Sequence, residues 1–223
     1  MSSAETAIAM IRDGDAIGLG TGRAATRFVE ALGERVRAGL KVRGVPTSAA
    51  TAALATRLGI PLTTLDDVAE LAITFDGADE VDPNLDLIKG LGGALVREKI
   101  VAASSRRLVI LVGPGKEVDA LGSRGKLPVE VVPFGVPLAL RKLAALGLPA
   151  EIRPGPDGSP FVTDNGNHVL DCHASALADP RATETAIHTI PGVVDTGLFL
   201  GMADTVLIED EAGSVRVLRR GPA

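Results

Sequence analysis

The sequence predicts an α/β protein: a parallel-sheet domain with a second, smaller α+β domain. Three observations carry that expectation. From Asp15 to about Arg124, short apolar runs alternate with segments of helical periodicity. Those apolar runs end in polar or glycine-rich clusters. After about Lys126 the order changes to strand, helix, two strands, helix, strand. The 223 residues suffice for one large domain or two small ones, at roughly 100–200 residues per domain.

The elements follow in order. Residues 1–16, MSSAETAIAMIRDGDA, lack the basic start of a signal peptide and read as a short amphipathic helix capped by Ser3. AIGLG (16–20) is a short buried-type strand. Residues 23–38 place Ala24, Phe28, Ala31, Leu32 and Val36 at helical spacing. KVRGV (41–45) is the second strand, and AATAALATRLG (49–59) a helix ending at Gly59. LAITF (71–75) is the third strand, 93–104 a helix, and RLVILV (107–112) another continuous apolar strand. Alternation of this kind implies a parallel sheet covered by helices.

Residues 128–147 read as a strand and then a helix. FVTDNGNHVLDCHA (161–174) carries Asn165-Gly166 between two strand-like runs, a hairpin signal. Residues 180–190 are helical, and VVDTGLFL (193–200) is a strand. The small domain is therefore expected at 126–197 and the larger one at 1–125 plus 198–223. The tail at 203–218 returns to the larger domain as a strand pair.

Composition excludes several classes of function. Hydrophobic residues make up 46% and charged residues 23%, which is globular rather than disordered usage. No apolar run reaches the ~18 residues of a membrane span, so no membrane partner is expected. A net charge of −5 and a pI near 5.3 argue against nucleic acid as a partner. With no Trp, no Tyr and 5 Phe, there is no platform for stacking bases. The single cysteine, Cys172, cannot form an internal disulfide, which fits a reducing, cytoplasmic location.

The strand ends hold the unusual residues: Thr21-Gly22-Arg23, Pro46-Thr47-Ser48, Asp76-Gly77-Ala78-Asp79 and Gly113-Pro114-Gly115-Lys116. In an open parallel sheet all of them emerge at the carboxyl edge, where ligands bind. Gly18-Leu19-Gly20-Thr21-Gly22 is either a tight turn or a cradle for a single phosphate at a helix start. Its GxGxG spacing is not the dinucleotide fingerprint, and Gly115-Lys116 does not complete a Walker pattern. Residues 76–82 carry four carboxylates in seven residues. Either they are turn residues, or Asp76 and Asp79 hold hydroxyls and move protons.

Lys89-Gly90-Leu91-Gly92-Gly93 precedes a helix in which Glu98 shares a stripe with Ala94, Leu95, Val101 and Ala102. A carboxylate on an apolar face is either ion-paired at the stripe's edge or partly buried. Burial would raise its pKa and suit it to take a proton from carbon. Of the histidines, His168 and Cys172 share one strand face and His173 the other, while His188 stands alone. Structural roles are expected for them, and no metal site.

These motifs also carry a resemblance. GLGTG (18–22), VPTS (45–48), DGADEVD (76–82), KGLGGALVREKIV (89–101), GPGKEVD (113–119), LPVEVVPFG (127–135), VTDNGN (162–167) and IPGVVDTGLF (190–199) run in the order found in ribose-5-phosphate isomerases of the A type. The chain resembles that family over nearly its whole length. The resemblance implies a Rossmann-like domain plus a smaller ferredoxin-like one, and interconversion of ribose 5-phosphate and ribulose 5-phosphate without metal or organic cofactor. It implies Glu98 as base, Asp76, Asp79 and Lys89 as further catalytic groups, and Lys116 as a substrate lysine. Thr21, Gly22, Arg23 and Ala24 would form the phosphate turn, with Gly77, Ala78, Gly90, Leu91 and Gly92 also lining the substrate. Many members read TGST where this chain has Thr21-Gly22-Arg23-Ala24, so two hydroxyls are missing and Arg23 is left to add a charge-assisted contact. Leu91 stands where many have glycine; its N–H can still donate unless φ is positive. A homodimer or homotetramer is implied by the same resemblance.

Rival readings are a sugar-phosphate-sensing module, acyl-CoA transfer with a glutamate nucleophile, and another sugar-phosphate isomerase on the same fold. The sensing module would need a DNA-binding element, and about 14 residues before the first strand are too few for a helix-turn-helix. Acyl transfer leaves Lys89 and Asp79 unexplained.

Overall fold

The computed structural model describes residues 1–221. In chain order the elements are α1 (Ser3–Ile8), β1 (Ala16–Leu19), α2 (Arg23–Arg37), β2 (Arg43–Pro46), α3 (Ala49–Arg57), β3 (Ile73–Asp76), β4 (Glu80–Val81), β5 (Leu87–Ile88), α4 (Leu95–Ala103) and β6 (Leu108–Val112). They continue with β7 (Lys126–Val131), α5 (Val136–Ala145), β8 (Ala150–Ile152), β9 (His168–His173), α6 (Pro180–His188), β10 (Val193–Thr196), β11 (Leu198–Phe199), β12 (Thr205–Glu209) and β13 (Val215–Arg219). Among the described residues, no helix is long and apolar enough to cross a membrane.

The residues form two compact units. The first comprises, among the described residues, 1–78, 97–116 and 201–221; the second comprises 79–96 and 117–200.

The first unit holds a six-stranded sheet of order β13-β12-β6-β3-β1-β2. Strands β2, β1, β3, β6 and β12 are parallel, and β13 closes one edge antiparallel to β12. The apolar runs of β1, β3 and β6 are buried throughout or nearly so, as strands covered on both faces must be. Phe28, Val29 and Leu32 of α2 and Ala55 of α3 pack with Ile17, Leu19, Ile73 and Phe75. Val101 of α4 packs instead with Val45 and Leu71. The strand order turns back on itself at β1: β2 lies on one side of it and β3 on the other. Beyond the carboxyl ends of strands, such a switch point is where an open α/β sheet binds ligands.

Helix α1 forms as expected, with a different cap. The Ser2 hydroxyl accepts the Glu5 N–H at 3.2 Å, and Glu5 Oε2 accepts the Ser2 N–H at 2.8 Å. That reciprocal pair is a capping box. Ser3 is instead bonded through its hydroxyl to Glu209 of β12.

The second unit holds a four-stranded antiparallel sheet of order β10-β7-β9-β8, built in the sequence β7-α5-β8-β9-α6-β10. This is the ferredoxin-like arrangement. Leu127, Val129, Leu143, Leu170 and Ile187 form its core. The strand expected over 193–200 divides into β10 and β11 at Gly197, where any Cβ would sit 2.3 Å from the Lys89 carbonyl oxygen. The hairpin expected over 161–174 keeps its turn, with the Gly166 N–H bonded to Thr163 O at 2.9 Å. Its first arm is reduced to an isolated bridge between Val162 and His168. A three-stranded ribbon, β11-β5-β4, completes the unit.

Candidate active site

In the first unit the site groups collect at the carboxyl edge of the sheet. β3 ends in Asp76, which is 1% exposed. Its Oδ1 accepts the Gly77 N–H at 2.7 Å and the Thr21 N–H at 3.1 Å. The carboxylate at the end of β3 thus holds the turn leaving β1. The glycines of that turn are there for close packing. A Cβ on Gly20 would lie 2.2 Å from Asp76 Oδ1, and one on Gly18 would lie 1.9 Å from Thr74 Oγ1. Only Gly22 needs its conformational freedom, at φ 100°.

Gly22 is the N-cap of α2 and gives the helix no side-chain cap. The first N–H groups of α2, at Arg23 and Ala24, are therefore left to water or a ligand, with the positive end of the helix dipole behind them. Arg23 is exposed beside them. Thr21 is placed differently from the expectation of a direct ligand. Its N–H is given to Asp76, and its hydroxyl lies 2.7 Å from Thr47 Oγ1 and 2.9 Å from Ser48 Oγ. Thr51 joins this hydroxyl cluster and donates to Gly20 O at 3.0 Å. The sequence reading quoted VPTS as a motif without giving it this task, which is to lock β2's exit against the β1 turn.

Helix α4 runs directly into β6, so its N-terminal end lies at the same carboxyl edge. Val101 packs at Gly18, since a Cβ there would meet Val101 Cγ1 at 2.6 Å. Glu98 is one turn earlier on the same helix face. It is 4% exposed, a carboxylate sunk in the apolar stripe. Gly113, Pro114, Gly115 and the half-buried Lys116 follow β6 at this edge.

The second unit brings together Asp79, Lys89 and the glycine loop. Asp79 donates its N–H to Ile88 O at 2.8 Å, and its Oδ2 accepts the Leu91 N–H at 3.0 Å. Lys89 is 2% exposed, with its ammonium 5.4 Å from the centre of the Phe199 ring. Gly90 and Gly93 have φ of 102° and 83°. Leu91 is not among the residues with positive φ, so its side chain does not strain the loop, and its N–H is given to Asp79.

Four supporting residues escaped the sequence reading. Arg153 donates from Nη1 to Gly90 O at 2.9 Å and to Leu91 O at 3.0 Å. Asp171 receives the other edge of that guanidinium, with Nε to Oδ2 at 3.1 Å. Phe161 lies against Gly93, where a Cβ would come within 2.4 Å of the ring. Glu130, fully buried on β7, accepts at Oε1 from Thr163 Oγ1, Asn165 Nδ2 and Asn167 Nδ2 at 3.0, 3.0 and 2.8 Å. A charge interrupting the apolar run of β7 was the available signal for Glu130.

His188 does not stand alone as expected: among the described residues it groups with Glu184 and Asp195, whose ligand atoms all lie within 4.8 Å of one another, a set that could hold a metal ion. His168 Nδ1 lies 2.9 Å from Phe161 O, and His188 Nε2 lies 3.4 Å from Asp195 Oδ1. Cys172 is buried, and desolvation together with the neighbouring Asp171 charge pushes its pKa up to about 12.

Asp76, Glu98, Lys116 and the first amides of α2, all at the carboxyl edge of the first unit's parallel sheet, are features of the α/β enzyme class. The model of one family, ribose 5-phosphate isomerase A (phosphoriboisomerase A), matches residues 43–213. The chain belongs to the ribose-5-phosphate isomerase A family. The ribose-5-phosphate isomerase A of Roseiflexus castenholzii is 54% identical over 217 residues, 96% of this chain and 93% of the relative. The solved ribose 5-phosphate isomerase A of Methanocaldococcus jannaschii superposes with a TM-score of 0.92 at 41% identity, covering 97% of this chain and 96% of that one. A D-ribose-5-phosphate isomerase solved in complex with phospho-erythronic acid superposes at 0.93, with 39% identity and 97% and 96% coverage.

Proposed function

We propose that the chain interconverts D-ribose 5-phosphate and D-ribulose 5-phosphate through an enediolate, with Glu98 as the base. The observation that carries the reading is the burial of Glu98 in the apolar stripe of α4 at the carboxyl edge of the sheet. Low dielectric favours the protonated acid, which brings a carboxylate toward the basicity needed to take a proton from carbon. Glu98 removes the C2 proton of the open-chain aldose. The C1–C2 double bond forms, and the aldehyde electron pair moves to O1. Glu98 then returns its proton to C1, O2 becomes the carbonyl, and the O2 hydroxyl proton ends on O1.

The other residues divide the remaining work. Asp79, half-buried, assists ring opening, and Asp76 holds the turn while sharing that proton traffic. Lys89 and the amides of Gly90 and Gly92 stabilise the developing oxyanion, while Leu91 lines the substrate with its N–H held by Asp79. Gly22, Arg23 and Ala24 at the start of α2, with Lys116, hold the phosphate, while Gly77 and Ala78 line the sugar. Binding energy at the phosphate, remote from C2, orients the reacting carbons. Phospho-erythronic acid, bound by the solved relative, carries a carboxylate where the enediolate would carry its oxygens, which supports this assignment.

The chain is also proposed to act in the cytoplasm as a homodimer or homotetramer. Cys172, a buried free thiol, supports a reducing compartment. Phe134, 97% exposed, supports an apolar contact with a second copy, and light scattering of wild type against Phe134→Asp tests it. The activity is tested by proton NMR of ribose 5-phosphate in D₂O with metal-stripped protein. Ribulose 5-phosphate is the expected product, with deuterium at C1 to the extent that the Glu98 proton exchanges with solvent before its return. An unchanged spectrum would refute the reading.

A further inference from the structure

We infer that Arg153 is a positioning residue for the glycine loop, aiming the Leu91 N–H at Asp79 and the Gly92 N–H at the oxyanion. This rests on the isomerase reading above and adds a residue to it. Arg153 lies just past β8, and its backbone is bonded on both sides: its N–H to Val169 O at 2.9 Å, and its carbonyl to the Phe161 N–H at 2.8 Å. Its guanidinium is aimed with little freedom. Nε and Nη2 are held by the two oxygens of Asp171, in the fork geometry that only arginine offers a carboxylate. Lys126 Nζ, 3.7 Å from Asp171 Oδ2, steadies the carboxylate. The Phe161 ring covers the guanidinium, 5.9 Å from its carbon. The Arg153 and Asp171 side chains are 11% and 6% exposed. A desolvated ion pair is costly, and an exposed turn does not need one for stability.

What the pair grips is informative. Both bonds from Nη1 go to consecutive carbonyls, Gly90 O and Leu91 O. A peptide unit is planar, and among the described residues none is cis. A carbonyl held on one side of the loop therefore sends the N–H of the same peptide to the other side. Holding Gly90 O aims the Leu91 N–H, and that N–H donates to Asp79 Oδ2 at 3.0 Å. Holding Leu91 O aims the Gly92 N–H the same way by the same geometry. A cation on the carbonyl side also polarises both peptides, which makes their N–H groups stronger donors. The loop's own restraint is one turn bond, from the Gly93 N–H to Gly90 O at 3.0 Å, with Gly90 and Gly93 in left-handed conformations and Leu91 and Gly92 exposed. Phe161 against Gly93 fixes its far end. Arg153 thus sets the direction of the donors without touching substrate.

The test compares wild type with Arg153→Met, Arg153→Lys and Asp171→Asn. In Arg153→Met, kcat should fall by roughly tenfold to a hundredfold, the scale of a misaimed transition-state contact. Affinity for phospho-erythronic acid should fall in parallel, while affinity for inorganic phosphate stays within about twofold, since the phosphate contacts are untouched. Exchange of the Leu91 amide with D₂O should speed up by about tenfold, because its bond to Asp79 loses its aim. Arg153→Lys, which keeps the charge but not the fork, should recover only part of each loss. Normal kcat with unchanged Leu91 exchange in Arg153→Met would overturn the proposal, as would a loss confined to phosphate affinity. If Arg153→Met does not fold, Arg153→Lys and Asp171→Asn carry the same comparison. Wild type inactive on ribose 5-phosphate would strike the isomerase reading alone, and Leu91 exchange would still decide the clamp.

Discussion

Asp76 Oδ1 accepts the backbone N–H of Thr21 at 3.1 Å, so a carboxylate at the end of β3 fixes the turn that leaves β1. The approach is possible only because Gly20 has no side chain: a Cβ there would fall 2.2 Å from Asp76 Oδ1 and 2.6 Å from Asp76 Cα. The second of those atoms is backbone and cannot swing aside. Gly20→Ala should therefore destabilise the fold by about 1–3 kcal/mol, the usual cost of overpacking a tight site. Urea denaturation checks the stability, and kcat/KM should fall in the same variant because the α2 start moves with the turn. Wild-type stability would show that β1 and β3 can separate at this edge.

The parallel strands were legible because β1, β3 and β6 are continuous apolar runs, and only burial on both faces calls for that pattern. The strand-end clusters were legible for the same reason, since their position follows from the strand that precedes them. The two-residue strands β4, β5 and β11 are too short to show any period. β8, Ala-Glu-Ile, is not buried and offers no apolar signal. Arg153 was invisible because its partners are backbone carbonyls of Gly90 and Leu91, which leave no trace in residue identity. Thr47 and Ser48 looked like loop polarity and Thr51 like part of a helix, and their clustering around Thr21 required the neighbouring strand to be in place.

Glu130 gathers three donors on one oxygen, from Thr163, Asn165 and Asn167, and so ties the 163–167 turn to the central strand of the second unit. Glu130→Leu removes the shared acceptor and leaves the buried Thr163 hydroxyl without it. A loss of about 1–3 kcal/mol is expected, the penalty of an unsatisfied buried polar group. Hydrogen exchange should localise the effect, with the Gly166 and Asn167 amides exchanging faster than those of β9. Uniform acceleration across the second unit would show that Glu130 supports the whole sheet instead.

Cys172 links stability to alkaline pH. Its folded pKa is pushed up to about 12 from an ordinary 9.0, first by burial and then by the Asp171 charge. A raised folded pKa means that the contribution is fully present below 9.0 and is lost as pH rises toward 12. In that window the unfolded thiol ionises while the folded one holds its proton. The free energy of unfolding should thus decline more steeply between those limits in wild type than in Cys172→Ala. Native protein at pH 8 should also resist thiol reagents and react after denaturation. Equal alkaline slopes in the two proteins would contradict the account.

The central claim is that one buried carboxylate, Glu98, shuttles the proton between C2 and C1. Its most direct test is the turnover of Glu98→Gln measured together with the binding of phospho-erythronic acid. Glutamine keeps the size and burial of the side chain and removes only its basicity. Turnover should fall by about 10²–10⁴-fold, the contribution of a general base, with affinity for the acid nearly unchanged. Turnover close to wild type in a folded, ligand-binding Glu98→Gln protein would assign the proton transfer to another group.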